Sequence, residues 1–176
     1  LASALRLKGE LAGVVEEGRI DLAASSVGII PSRERLTLGD KLAAGDAIVL
    51  LAASGIHATG VSLARKLIER LPEGYATRIG DGRTYGEARL DPTTLYVPVT
   101  EALFAAGIVP HYSANITGHG WRKIMRHPAS FTYRIHTLPD VPPVLAFIQQ
   151  QAGIDDREAY GSLNMGAGFA LFVAAE

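Results

Sequence analysis

The chain has 176 residues, 48% hydrophobic and 20% charged, which suits one globular domain able to bury its own core, or one such domain with a short appendage, and excludes a disordered tail. With 17 basic residues against 18 acidic and a formal charge of −1, it has no broad attraction for nucleic acid or an anionic membrane, so any anion site is local. Cysteine is absent, which excludes disulfides and thiolate chemistry and accords with a cytoplasmic protein, and the apolar runs at 47–53 and 169–175 fall far short of the roughly 20 residues that span a bilayer. Residues 1–11 lack the features of a signal peptide.

In chain order, residues 10–20 (ELAGVVEEGRI) read as a strand entering a turn at Gly18, and residues 25–41 as a connecting loop with room for one short strand. Residues 46–53 (DAIVLLAA) form a short continuous apolar run, the pattern of a central strand buried on both faces. Leu63, Leu67, Ile68 and Leu71 then recur at helical spacing, with Arg65, Lys66, Glu69 and Arg70 opposite and Pro72 and Gly74 closing the helix. Residues 73–93, rich in Gly, Arg and Asp, read as an excursion across the surface. A helix is expected over 95–106, a strand over 109–116, a short helix over 121–126 and an alternating strand over 131–136. Helices over 143–151 and 155–163 and a last strand over 168–174 complete the pattern. The alternation predicts an α/β fold, a mixed sheet with helices packed on it.

Three glycine-containing loops follow or precede these strands. In the first, Ser54, Gly55, His57, Thr59, Gly60 and Ser62 lie between a strand and a helix start, where backbone N–H groups, hydroxyls and the helix dipole suit a phosphate; the alternative is an ordinary tight connection. His57 is either a proton-transfer residue or a hydrogen-bonded structural histidine. The second loop, Asn115, Thr117, Gly118, His119 and Gly120 ahead of Trp121, Arg122 and Lys123, is either a phosphate cradle or a plain glycine turn. Trp121 reads as a core or interface anchor. The third, Asn164 and Gly166 within NMGAG, is either a close-approach site or a helix end and strand entry. His111, His119 and His127 do not match zinc-ligand spacing, no serine-hydrolase elbow is present, and no metal site is expected. Asp46, Ser54 and His57 make a triad by composition only, since they crowd one strand end.

Taken in order, residues 9–20, 45–68, DPTTLYVPV (91–99), ANITGHGW (114–121), 141–154 and AYGSLNMGAGFALFV (159–173) resemble the carboxy-terminal domain of the aminoimidazole ribonucleotide synthetase (phosphoribosylformylglycinamidine cyclo-ligase) family. The resemblance covers nearly the whole chain. It implies a three-layer α/β/α domain with a mixed sheet, read as one domain over residues 1–176 that lacks family segments at both ends and is inactive by itself. It further implies ATP-dependent closure of formylglycinamidine ribonucleotide in purine biosynthesis, with ATP and Mg²⁺ held mainly by an amino-terminal domain, in a cytoplasmic homodimer without nucleic-acid or membrane partners. His57 would be catalytic. Ser54, Gly55, Thr59, Gly60, Ser62, Asn115, Thr117, Gly118, His119, Gly120, Asn164 and Gly166 would bind phosphate or substrate. The sequence departs from the family where SSGxHSNG has Ala58 and Thr59, where HITGGG begins with Asn115 and carries His119, and where PTRIYV has Thr94 in place of arginine. These departures leave open a superfamily relative with another ATP-dependent substrate, such as selenophosphate synthetase, thiamine-monophosphate kinase or a hydrogenase-maturation protein, or a non-catalytic oligomerisation domain.

Overall fold

The computed structural model describes residues 25–175, and the chain divides into two compact units, Leu1–Arg33 and Glu34–Glu176. The strand expected at 10–20 lies outside the described residues. Residues 25–30 of the first unit are exposed and have no regular structure.

The second unit contains β1 (Ala47–Ala52), α1 (Val61–Leu67), α2 (Tyr85–Ala88), α3 (Val97–Ala105), β2 (Tyr112–Asn115), α4 (Pro143–Ala152), α5 (Asp156–Ser162) and β3 (Ala167–Val173). The α/β class is observed. The described strands form one sheet in the order β1-β3-β2, and both pairs are antiparallel where a mixed sheet was expected. Both β1 and β2 are followed by a loop and a helical segment and run the same way, but β3 returns between them in the opposite direction. Repeated strand-loop-helix units therefore do not yield a parallel pair here.

The strand read as central is instead at an edge of the described sheet. In β1 every residue is half-buried or exposed, with Val49 at 43% exposure, whereas in β3 Ala167, Gly168, Ala170, Leu171 and Phe172 are buried. A continuous apolar run records that a strand packs, not where in the sheet it lies. On one face Ile48, Leu50, Tyr112, Ala114, Ala170 and Phe172 meet Ile124, Trp121, Tyr133 and Ile135 in a single cluster. The segment 131–136 alternates half-buried and exposed residues as expected but joins no ladder, and Tyr133 packs edge-on against Phe172 at 6.0 Å. Period two reported facing there, not pairing.

The helices build a second cluster. The 3-10 turn Ile68–Arg70 prolongs α1, and Ala64, Leu67 and Leu71 pack with Val144, Leu145 and Ile148 of α4. Each of the larger aliphatic side chains contributes about 1.5–3 kcal/mol by leaving water. Proline at the start of α4, left-handed Gly153 at its end and the Asp155 carboxylate accepting the Glu158 amide at 2.8 Å delimit α4 and α5. The excursion over 73–93 is anchored rather than superficial: Ile79, Tyr85 and Ala88 are buried in this cluster. Tyr85 donates to the Ala64 carbonyl at 2.8 Å and packs 5.1 Å from Phe147, and burial pushes its phenol up to about 12. A capping box between Thr84 and Glu87 starts α2. The polar residues flanking Tyr85 hide this anchor from a hydrophobicity pattern.

Candidate functional site

Asn164 joins all three loops. It is fully buried; its Nδ2 donates to the carbonyls of Gly55 at 2.8 Å and Ile56 at 3.2 Å, and its Oδ1 accepts from the Gly166 amide at 3.0 Å. Its own carbonyl accepts from Trp121 Nε1 at 2.6 Å. Trp121 also packs edge-on against Tyr160 at 4.9 Å, the anchoring role expected of it. Glycine is required where these loops cross. A Cβ on Gly120 would meet the carbonyls of Tyr160 and Leu163, one on Gly60 the Leu163 side chain, and one on Gly166 the Asp140 carbonyl.

Among the described residues, the non-glycine positions with positive φ are His57 (55°), His119 (75°) and Met165 (42°), one in each loop. A left-handed backbone at a residue with a side chain costs about 1–2 kcal/mol, and such strain gathers at functional sites. Distant packing therefore holds three locally unfavourable turns together.

His57 Nε2 accepts the Ser54 amide at 3.0 Å and the Thr94 amide at 3.3 Å, and it lies 2.9 Å from Ser54 Oγ. Two N–H donors need the ring's lone pair, so the imidazole is neutral with its proton on Nδ1. Burial lowers the His57 pKa from its ordinary value, in the same sense. Ser54 Oγ donates to the Pro92 carbonyl at 2.6 Å. The segment 91–94 is set in turn by Arg83, which holds both carboxylate oxygens of Asp91 at 2.7 and 3.0 Å and also bonds Asp81 at 2.8 Å. Asp46 is committed elsewhere, to His111 Nδ1 at 2.8 Å, so no Asp46-Ser54-His57 triad forms.

Of the remaining expected residues, Thr59 is buried with its hydroxyl on the Ile56 carbonyl at 2.9 Å, left-handed Gly60 precedes α1, and Ser62 is exposed on its first turn. Gly55 is buried against Asp91. In the second loop the Gly120 amide closes a turn on the Thr117 carbonyl at 2.8 Å, while Gly118 and His119 are exposed and a Cβ on Gly118 would meet nothing within 4 Å.

The resemblance marks residues 91–99 as a landmark and assigns them no ligand; in the structure Thr93, Thr94, Leu95, Tyr96 and Val97 line a pocket of about 290 Å³ with Thr100, Asn115 and Phe169. Tyr96 stacks on Phe169 at 5.4 Å and donates to the Ala52 carbonyl at 2.7 Å; its hydroxyl occupies the space a Cβ on Gly168 would need. The run of Thr and Tyr between two apolar helical stretches was the available signal. Among the described residues no three of His, Cys, Asp and Glu gather as a metal donor set. No helix among them is long and apolar enough to cross a membrane.

The family model described as AIR synthase related protein, C-terminal domain, matches residues 43–176. The chain is similar to proteins named phosphoribosylformylglycinamidine cyclo-ligase: 38% identical over 159 residues to that of Methanocaldococcus jannaschii and 35% over 159 residues to that of Methanococcus vannielii, in each case covering 89% of this chain and 45% of the relative. The relative from Symbiobacterium thermophilum is 37% identical over 177 residues, covering 95% of this chain and 49% of its own. The chain thus spans about half the length of these relatives.

Proposed function

Because this chain belongs to the AIR synthase related protein family, as its C-terminal domain, we propose that it is the carboxy-terminal part of an ATP-dependent phosphoribosylformylglycinamidine cyclo-ligase of purine biosynthesis. The observation that supports this reading is the gathering of three strained loops on buried Asn164, which brings the His57 and Asn115–Gly120 motifs to one place. Positioning of this kind, with charge stabilisation, is what an ATP-driven ring closure asks of a protein that supplies no nucleophile.

In this reading the ribonucleotide lies against Ser54, Gly55, Gly60 and Ser62 on one side and Asn115, Thr117, Gly118, His119 and Gly120 on the other. Thr59, Asn164 and Gly166 hold those loops in place. His57 is catalytic through contact: its Nε2 is filled by two backbone donors, so Nδ1–H is the group it offers a ligand. ATP supplies the activation of the formyl oxygen as a leaving group. Among the described residues no three acidic or histidine side chains gather as a Mg²⁺ donor set, and in this reading ATP and Mg²⁺ are held mainly by an amino-terminal domain. The working form is a cytoplasmic homodimer.

The test is an assay of the longest polypeptide carrying this chain with ATP, Mg²⁺ and formylglycinamidine ribonucleotide, following ADP and the aminoimidazole product together. Product formation is expected, and a His57→Ala variant with unchanged kcat and KM would remove His57 from the reaction. ATP turnover without product would favour a superfamily relative acting on another substrate, a second reading that the uncharged pocket beside His57 supports. Silence in both readouts would leave a non-catalytic domain.

A further inference from the structure

We infer that the outer face of α3, with Leu95 and Val97 at its entry, is an interdomain surface whose occupant is the amino-terminal half of a polypeptide as long as the relatives. The inference rests on family membership and on the relatives' length, not on the proposed cyclisation.

α3 reads VPVTEALFA and carries one charged residue, Glu101. A helix at a protein surface buries one stripe and shows polar side chains on the other, whereas a helix apolar on every side is covered all round. α1, α4 and α5 each bury residues in the core, but none of the nine residues of α3 is buried. Pro98, Val99, Ala102, Ala105 and Ala106 recur on one side at helical spacing, and all are exposed. At the entry to the helix Leu95 is 78% and Val97 66% exposed. Large apolar side chains scattered singly over a surface are ordinary; gathered at one place, they mark an interaction surface.

The one charge does not make this face polar. Arg35 Nη2 donates to the Glu101 carboxylate at 2.7 Å, and the same guanidinium lies 4.4 Å from the centre of the Phe104 ring, so a segment of chain already rests on one side of α3. That segment identifies the occupant. Arg35 is the second residue of the unit Glu34–Glu176, so the polypeptide enters this unit along α3, and what precedes it is tethered beside the open face. A short tether gives the attached chain an effective concentration of about millimolar, which a free second copy does not reach. The matched family domain is C-terminal and the chain covers 45% to 49% of the relatives, which leaves a domain-sized length on the amino-terminal side to do the covering.

The covered face runs directly into the loops gathered by Asn164. Val97 opens α3 immediately after Tyr96, whose hydroxyl donates to the Ala52 carbonyl at 2.7 Å, and three residues after Thr94, whose amide bonds His57 Nε2 at 3.3 Å. A domain seated on Leu95, Val97 and Val99 therefore fixes the segment that holds His57, and docking and the setting of the His57 loop become one event.

The test uses the longest polypeptide carrying this chain. Because the chain has no cysteine of its own, Val97→Cys and, as an exposed reference on the polar side of the turn after α1, Glu69→Cys each report one position. Alkylation of each is compared in the native state and in urea, with the labelled peptide read by mass spectrometry. Val97→Cys should react about tenfold or more slowly in the native state while Glu69→Cys stays near its unfolded rate. In a separate variant a photo-reactive phenylalanine analogue replaces Val99; its cross-links should keep the mass of a single chain on a denaturing gel and map to the amino-terminal half. Equal alkylation at the two positions would overturn the inference, as would cross-links that double the mass, which assign the face to a second copy, or cross-links confined to residues 34–176. Protection without aminoimidazole product would remove the proposed reaction and keep the surface; product without protection would do the reverse.

Discussion

The side-chain amide of Asn164 donates to the carbonyl of Gly55 at 2.8 Å, across 109 residues of chain and with no exposure to water. That bond ties the turn before β3 to the loop after β1. Two carbonyls and one amide depend on the same side chain.

Asn164→Ala strands the Gly55 carbonyl and the Gly166 amide without partners, while the Ile56 carbonyl keeps the Thr59 hydroxyl and amide, and each stranded group costs about 1–3 kcal/mol. The denaturation midpoint in urea should fall by a corresponding amount with the slope unchanged. Asn164→Asp should be worse than alanine at neutral pH, because a carboxylate oxygen would then face the Gly55 and Ile56 carbonyls. Equal midpoints for wild type and Asn164→Ala would refute the hub role.

His57 should titrate below its ordinary value of 6.5, since burial disfavours the imidazolium and protonation of Nε2 breaks the bonds from Ser54 and Thr94. The folded pKa is the lower one, so the unfolded chain takes up the proton first as pH falls. The stability contributed is fully present above the unfolded value and is lost as pH drops through the folded value. Ring-proton shifts of His57 against pH, with amide exchange at Ser54 and Thr94, would measure this; a midpoint at or above 6.5 would contradict the assignment.

Gly120 and Gly118 should respond oppositely to alanine. At Gly120, φ is +51° and a Cβ would run into the carbonyls of Tyr160 and Leu163, so the backbone has to move as well as bear about 1–2 kcal/mol of left-handed strain. Gly118→Ala meets open space and should stay within about 0.5 kcal/mol of wild type. If the turn holds phosphate, Gly118→Ala should still raise KM for the ribonucleotide, because the added methyl stands where the ligand approaches.

Asp91→Asn removes the paired grip of Arg83 on the segment that supplies the Pro92 carbonyl to Ser54 and the Thr94 amide to His57. The pair is solvent-exposed, so the global melting midpoint should move little. Exchange of the Thr94 amide should accelerate, and high salt should reproduce part of the effect in the wild type. Unchanged exchange at Thr94 would show that the 91–94 segment is held by other contacts.

Local chemistry in the sequence determined a good deal. The spacing of Leu63 and Leu67 marked α1, Pro143 marked the start of α4, the helix read over 155–163 is α5, and Gly60, Gly120 and Gly166 of the three loops stand where the backbone turns left-handed and is crossed closely. These signals are short-range: a cap or a helical stripe depends on residues within a few positions of each other. The tertiary structure alone decided which strand is central, because β3 enters between β1 and β2 only after the intervening helices have returned the chain. It alone committed His57 Nε2 to the Thr94 amide, buried Tyr85 beneath a polar stretch, and brought Thr94 and Asn115 into one pocket. Periodicity reports that a face is buried or a group needs a partner; which distant group meets that need is settled by how the chain comes back on itself.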